Sequence, residues 1–172
     1  MCIRDSPYVN VLLSTGEKGK EETLWAGTRR GLARYDSTQQ RWVPSSFNEQ
    51  LPSANVTALA LQNGVLWIGT PQGLGSYTIA SDSWNSLSNV PYNIRDILCA
   101  ADKTIWLATD TGLIEYGTQD GREVLHQSRP VREPFRETRV SHIKFDGDYI
   151  WFNNWRASPN GSIVRFLSLI HI

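Results

Sequence analysis

Sulfur, histidine and net charge are all scarce in this chain. It holds two cysteines and three histidines, and its 17 lysines and arginines are matched by 17 aspartates and glutamates. Cys2 and His171 fall in terminal segments that are set aside below, which leaves Cys99, His126 and His142. One cysteine excludes an intramolecular disulfide. Neither remaining histidine has a second histidine or cysteine at ligand spacing, so a metal site has no support in the sequence and both read as satisfied surface or edge residues. Cys99 lies in an apolar run, where a small buried thiol is expected rather than a nucleophile. Zero net charge argues against nucleic acid or an acidic membrane as the main partner. Arg4 and Asp5 cancel, so setting that end aside does not change the balance. No segment carries a helical period, and each glycine belongs to a repeat rather than to a phosphate-cradling loop. Asp146-Gly147-Asp148 offers too few oxygens for a calcium loop. No cofactor is expected.

The two ends read as foreign to the protein. Met1-Cys2-Ile3-Arg4-Asp5 is what ATG TGT ATA AGA GAC encodes, and Leu167-Ser168-Leu169-Ile170-His171-Ile172 is what CTG TCT CTT ATA CAC ATC encodes. These strings are reverse complements over their shared length, and both resemble the transposon mosaic end used to build shotgun sequencing libraries. The chain is therefore expected to be a metagenomic reading frame across one inserted fragment, with scar at 1–6 and 167–172 and native sequence from about Pro7 to Phe166. No signal peptide, membrane span or effector domain is visible, and such a piece would not show one.

What the chain does have is a repeat. Leu24-Trp25-Ala26-Gly27-Thr28-Arg29-Arg30-Gly31-Leu32-Ala33-Arg34-Tyr35 is matched by Leu66-Trp67-Ile68-Gly69-Thr70-Pro71-Gln72-Gly73-Leu74-Gly75-Ser76-Tyr77. A third copy runs Ile105-Trp106-Leu107-Ala108-Thr109-Asp110-Thr111-Gly112-Leu113-Ile114-Glu115-Tyr116, and a degraded fourth starts at Ile150-Trp151. The tryptophans are 42, 39 and 45 residues apart. That period predicts four-stranded propeller blades, at about 8–43, 55–87, 93–126 and 139–166, the last without its outer strand.

Strand and turn chemistry fit that period. Val56 to Leu61 is a mostly apolar run suited to an inner strand covered on both faces. Asn63-Gly64 tolerates the positive φ of a tight hairpin and leads into Val65, and the same slot holds Asp102-Lys103 and Asp146-Gly147 in later copies. In the first copy it widens to the charged loop 16–22. Inner strands are expected to start 11 or 12 residues before the motif tryptophan, at Val56, Ile94 and Val140. Within the motif, a buried indole removes ~150–250 Å² from water, on the order of 4–6 kcal/mol by area. Gly27 and Gly69 leave room for close backbones, and Gly31, Gly73 and Gly112 occupy turns of positive φ. Trp42 and Trp84 fall on outer strands, seven residues after Tyr35 and Tyr77, where the third copy has Glu123.

These residues resemble the two-component regulator propeller family, whose short blades carry tryptophan, glycine-threonine, glycine-leucine and tyrosine in this order. The resemblance covers nearly all of Pro7 to Phe166. It implies an all-β fold, an incomplete β-propeller of about four blades of four-stranded antiparallel sheets from a seven-bladed ring. It further implies a periplasmic or extracellular sensor segment of a bacterial signal-transduction receptor, a two-component or hybrid sensor, partnered by the remaining blades and by downstream signalling domains such as a kinase or cyclase. Departures are Ala108 for the first glycine and Asn153-Asn154 for glycine-threonine.

Turns between second and third strands share one end of a blade with the loops that join one blade to the next. Variable loops on a rigid scaffold are the usual home of binding residues. The candidates there are Arg29, Arg30, Gln72, Asp110, Trp155 and Arg156 in the turns, and Phe47, Tyr92 and the segment from Arg129 to Arg139, with Arg132, Phe135 and Arg136, in the connections. Exposed aromatics beside arginine suit a small molecule or oligosaccharide. The arginine-rich connection reads equally as a solvated linker neutralised by Glu133 and Glu137. Three function classes stay open: a non-catalytic ligand sensor, a cell-surface or secreted interaction scaffold, and a polysaccharide lyase or glycosidase. The last is weakest, because Asp110 is the only acid in the short turns.

Overall fold

Each copy of the motif builds the middle of one antiparallel sheet. The computed structural model describes residues 8–16, 23–87, 90–100, 103–118, 123–126, 139–146, 149–154 and 162–167. The chain divides into two units, Met1–Pro91 and Tyr92–Ile172. In the first, β1 (Val9–Ser14), β2 (Leu24–Thr28), β3 (Gly31–Asp36) and β4 (Arg41–Pro44) make one sheet in sequence order, and β5 (Ala58–Gln62), β6 (Val65–Thr70), β7 (Gly73–Thr78) and β8 (Ser83–Leu87) make another. In the second, β9 (Ile94–Cys99), β10 (Thr104–Thr109), β11 (Gly112–Gly117) and β12 (Glu123–His126) form a four-stranded sheet, and β13 (Val140–Asp146), β14 (Tyr149–Asn154) and β15 (Ser162–Leu167) a three-stranded one. The fold is all-β, an incomplete propeller whose last sheet has three strands among the described residues. Among the described residues, no helix is long and apolar enough to cross a membrane.

Local chemistry explains the hairpins. Asn63 and Gly64 sit at φ 51° and 76°, the left-handed pair a tight two-residue turn requires, and Lys103 at φ 66°. Gly31, Gly73 and Gly112 have φ of 118°, 147° and 137°, where an L side chain is strained. Thr15 N–H donates to Thr23 O at 2.9 Å and closes the base of the widened loop in the first sheet. Trp42 and Trp84 do lie on outer strands, directly across from Tyr35 and Tyr77, while Glu123 faces Tyr116.

The inner strand departs from the expected straight run. Its register shifts between Val9 and Val11, between Ile94 and Asp96, and between Val140 and Ile143, each time opposite the glycine-threonine position of the second strand. In the second sheet regular pairing starts at Ala58, two residues later than expected, since Val56 N–H turns away to Thr28 O of the preceding sheet at 2.9 Å. Gly27 sits at that crossing. A Cβ there would lie 2.6 Å from Cγ1 of both Val11 and Val56, so the motif glycine admits the valines that join two blades.

The cores are seams between consecutive sheets. In the first unit Trp25, Leu32, Phe47, Val56, Leu66 and Tyr77 form one cluster; in the second Trp106, Leu113, Val140, Ile143, Ile150 and Phe152 form another. The motif tryptophans Trp25, Trp67 and Trp106 are buried, and Trp106 has 2% of its surface exposed. Trp25 meets the ring of Tyr77 edge-on at 5.9 Å.

Candidate ligand-binding loops

The turn between second and third strands is held by the motif threonine, a role the sequence did not disclose. Thr28 Oγ1 donates to Gly31 O at 2.9 Å and accepts from Arg30 N–H at 3.0 Å. Thr70 repeats this with Gly73 O (2.9 Å) and Gln72 N–H (3.3 Å), and Thr109 with Gly112 O (2.7 Å) and Thr111 N–H (3.2 Å). All three hydroxyls are buried. A buried hydroxyl that both donates and accepts closes the turn through backbone groups, so the clasp does not require a particular apex side chain, although in the third turn Thr111 Oγ1 adds a contact to Thr109 Oγ1 at 3.0 Å. Those apex residues are Arg29-Arg30, Pro71-Gln72 and Asp110-Thr111, with Arg29, Arg30 and Gln72 exposed. In the first unit the blade-to-blade connection reaches the same end of the sheet, where Asn48 Oδ1 accepts from Leu32 N–H (2.9 Å) and its Nδ2 donates to Leu32 O (3.0 Å).

In the second unit one such apex gathers a charged cluster. Asp110 Oδ1 meets Arg95 Nε at 2.5 Å and Arg139 Nε at 3.2 Å, while Oδ2 accepts from Asn93 Nδ2 and from an Arg95 terminal nitrogen at 3.3 Å. Asn93 immediately precedes β9, Arg95 is the second residue of that strand, and Arg139 immediately precedes β13. The hydrogen bond from Arg95, foremost, holds the Asp110 carboxyl below the ordinary aspartate range against the opposing effect of burial. The side chains of Arg95, Asp110 and Arg139 are 27%, 38% and 48% exposed. Of the four, Asp110 and Arg139 lay in the loops the sequence singled out, Arg139 at the end of the arginine-rich connection. Asn93 and Arg95 carry no motif, and the burial pattern of β9, with Ile94 and Ile97 buried three residues apart, follows no simple alternation that would have singled out Arg95.

The other candidates divide plainly. Arg29 lays its guanidinium 4.4 Å from the ring centroid of Tyr8, a cation–π contact at an exposed site. Tyr92 is half-buried and precedes Asn93 in the chain. Arg132, Phe135, Arg136, Trp155 and Arg156 lie outside the described residues. Phe47 corrects the sequence reading. Expected as an exposed loop aromatic, it is 5% exposed, 4.7 Å from Tyr77 and stacked on Trp84 at 4.9 Å and 10°. A phenyl ring has no polar atom to keep at the surface, and the seam between two sheets takes it in. Phe47 thus floors an open cleft of about 390 Å³ lined by Trp25, Arg34, Tyr77, Ile79 and Asp82. Tyr77 donates its hydroxyl to Asp82 at 2.6 Å there.

Burial pushes the Cys99 thiol up to about 11, away from a reactive thiolate. Burial also pushes the Asp96 carboxyl up, although Ile143 N–H (3.1 Å) and Ile97 N–H (3.0 Å) donate to it. That carboxylate fastens the inner strands of the last two sheets rather than facing solvent. Among the described residues, no three His, Cys, Asp or Glu side chains converge as a metal would need.

Comparison with known proteins places this architecture. Residues 50–72, from the connection through β5 and β6 to the second threonine-clasped turn, match the family model described as Two component regulator propeller. No curated protein matches the chain in sequence. Among solved structures, it resembles the extracellular domain of BT4673 from B. thetaiotaomicron, assigned as a one component system, at 21% identity and a TM-score of 0.72, covering 90% of this chain and 20% of that one. The extracellular domain of BT3049 from the same organism, assigned as a hybrid two component system, gives 20% identity and a TM-score of 0.65, covering 92% and 22%. PorZ of Porphyromonas gingivalis, a bacterial surface component of the type-IX secretion system, gives 10% and 0.66, covering 94% and 21%. The chain spans about a fifth of the length of each. At these identities the likeness establishes the fold. The family model reaches into the second copy of the motif as far as Gln72, and the same threonine-clasped turn recurs in three sheets, so the repeats of this chain are similar to those of the two-component regulator propeller family.

Proposed function

We propose that the chain is the ligand-sensing segment of a bacterial signal-transduction receptor, outside the cytoplasm, binding a small molecule or oligosaccharide and performing no chemistry itself. The observation that carries this reading is the division of labour in the motif. A constant buried threonine closes each turn, and the exposed apex differs from blade to blade: two arginines, a proline-glutamine pair, and an aspartate held by two arginines. Constant frame with variable apex is how rigid scaffolds present recognition residues. Similarity to extracellular domains assigned to bacterial regulatory systems supports the location and the receptor context. Remaining blades and a downstream signalling domain would then belong to the parent protein. A surface scaffold is the second reading, favoured by the likeness to PorZ.

The test is a thermal-shift screen of the 172-residue chain against neutral and acidic oligosaccharides and small metabolites. It is run beside a triple variant, Arg29→Ala with Arg30→Ala and Gln72→Ala, and the single variant Arg139→Gln. A stabilising ligand whose effect is lost in one of these variants supports sensing through the apex residues. Ligands that stabilise all forms equally, or none at all, would sink it. A longer reading frame with a membrane span and kinase or cyclase module separates sensor from scaffold.

A further inference from the structure

The cluster around Asp110 is unbalanced in hydrogen-bonding capacity. Asp110 receives Arg95 and Arg139 on Oδ1, and Asn93 and Arg95 on Oδ2. A carboxylate offers about four lone-pair sites, so its acceptor capacity is filled. The donors are not exhausted. Arg139 approaches through Nε alone, at 3.2 Å, and its terminal nitrogens have no partner among the described residues. Arg95 uses Nε and one terminal nitrogen, leaving the other without a partner among the described residues. Among the described residues, two guanidiniums against one carboxylate leave a net positive charge, and both arginines keep part of their surface in solvent, 27% and 48%.

We infer that this apex recognises the carboxylate of a small-molecule ligand, with Arg95 and Arg139 as its donors and Asp110 as the positioning residue that aims them. The inference rests on the reading of the turn apices as the ligand-binding face and names the chemistry of one of them. A neutral hydroxyl asks its site for an acceptor as well as a donor, and the acceptor here is already saturated. A carboxylate asks only for donors, and the planar guanidinium fork matches it in shape, as the Arg95–Asp110 contact already displays. Asp110 also stops the two like charges from separating, which keeps their outward N–H groups on one spot.

The probe pair is trigalacturonate against the neutral galactose trimer of the same linkage, titrated into the ¹⁵N-labelled 172-residue chain. The expected result is binding of the acidic trimer at least roughly tenfold tighter than the neutral one, as charge-assisted hydrogen bonds imply. The Arg95 and Arg139 Nε–H resonances should move only with the acidic trimer. Arg139→Gln should abolish the preference and Arg139→Lys keep part of it, since charge survives without the fork. Equal binding of both trimers, with Arg139→Gln indifferent, overturns the carboxylate inference and leaves the ligand-binding face standing. No binding of either trimer by a chain with a well-dispersed spectrum removes the inference, while the wider screen above still decides the face itself.

Discussion

Trp106 and Trp151 hold the same place in the repeat and live in different surroundings. Trp106 is 2% exposed and belongs to the cluster with Ile143, Ile150 and Phe152 of the sheet that follows it. Trp25 is likewise met by Tyr77 of its following sheet. Trp151 is half-buried, and among the described residues the guanidinium of Arg165 lies 5.8 Å from its ring centroid and 4.5 Å from that of Tyr149. Ile163, on the same sheet, is 76% exposed. The difference teaches that a blade of this repeat completes only one face by itself. Its tryptophan is a promise to the next sheet, and its energy is realised across a seam rather than within a strand.

Substitutions can break that comparison. Trp106→Ala should destabilise the chain by ~3–5 kcal/mol, as for a large buried ring, while Trp151→Ala should cost less than about half of that. Equal losses, read by chemical denaturation, would remove the distinction between covered and uncovered faces. Next comes Gly27→Ala. Its new Cβ would meet Val11 and Val56 at 2.6 Å, so about 1–3 kcal/mol should be lost, and an unchanged midpoint would show that the seam yields. Thr70→Val deletes a buried hydroxyl that serves Gly73 O and Gln72 N–H, at a cost of ~1–3 kcal/mol. Hydrogen exchange should rise at the β6–β7 turn while the seam residues stay protected; protection lost throughout would mean that turn and seam are one cooperative unit.

The smallest effect sharpens the comparison by pH. Asp110 has a folded pKa below its ordinary value, so its contribution is present above the ordinary aspartate range and is lost as pH falls through the folded pKa. Asp96 has a raised folded pKa, so its carboxylate is disfavoured on folding; relative stability is gained on acidification and fades as pH rises through that value. Asp110→Asn should cost well under ~1 kcal/mol near neutrality, as expected for a partly exposed pair. It should also flatten the loss of stability between about pH 5 and pH 3. A steeper loss in the variant would show that Asp110 is not the group stabilised by its arginines.

Much of the architecture was legible because the motif is built from residues whose chemistry is local. Tryptophan spacing, Asn63-Gly64 and the turn glycines each report on their own few residues of backbone, and the fold class follows from repeating them. Side chains that act across a gap were not legible. Phe47 looked like a loop aromatic because nothing nearby in sequence reveals the seam that receives it. Arg95 lies 15 residues before Asp110 and Arg139 29 residues after it, so nothing local in the sequence ties either one to that carboxylate. Ile94 and Val140 do begin their strands as expected, and the one inner-strand start misjudged is that at Val56, which is claimed by the neighbouring sheet before its own.

The threonine clasp has a consequence for how such a protein changes over time. A turn locked from beneath by one hydroxyl makes its two apex codons nearly neutral for folding, so mutations there are filtered by what the surface touches and not by whether the chain survives. Duplicating a blade then copies the lock with a fresh pair of unconstrained letters, and a ring of blades becomes a set of independent dials that drift can turn one at a time.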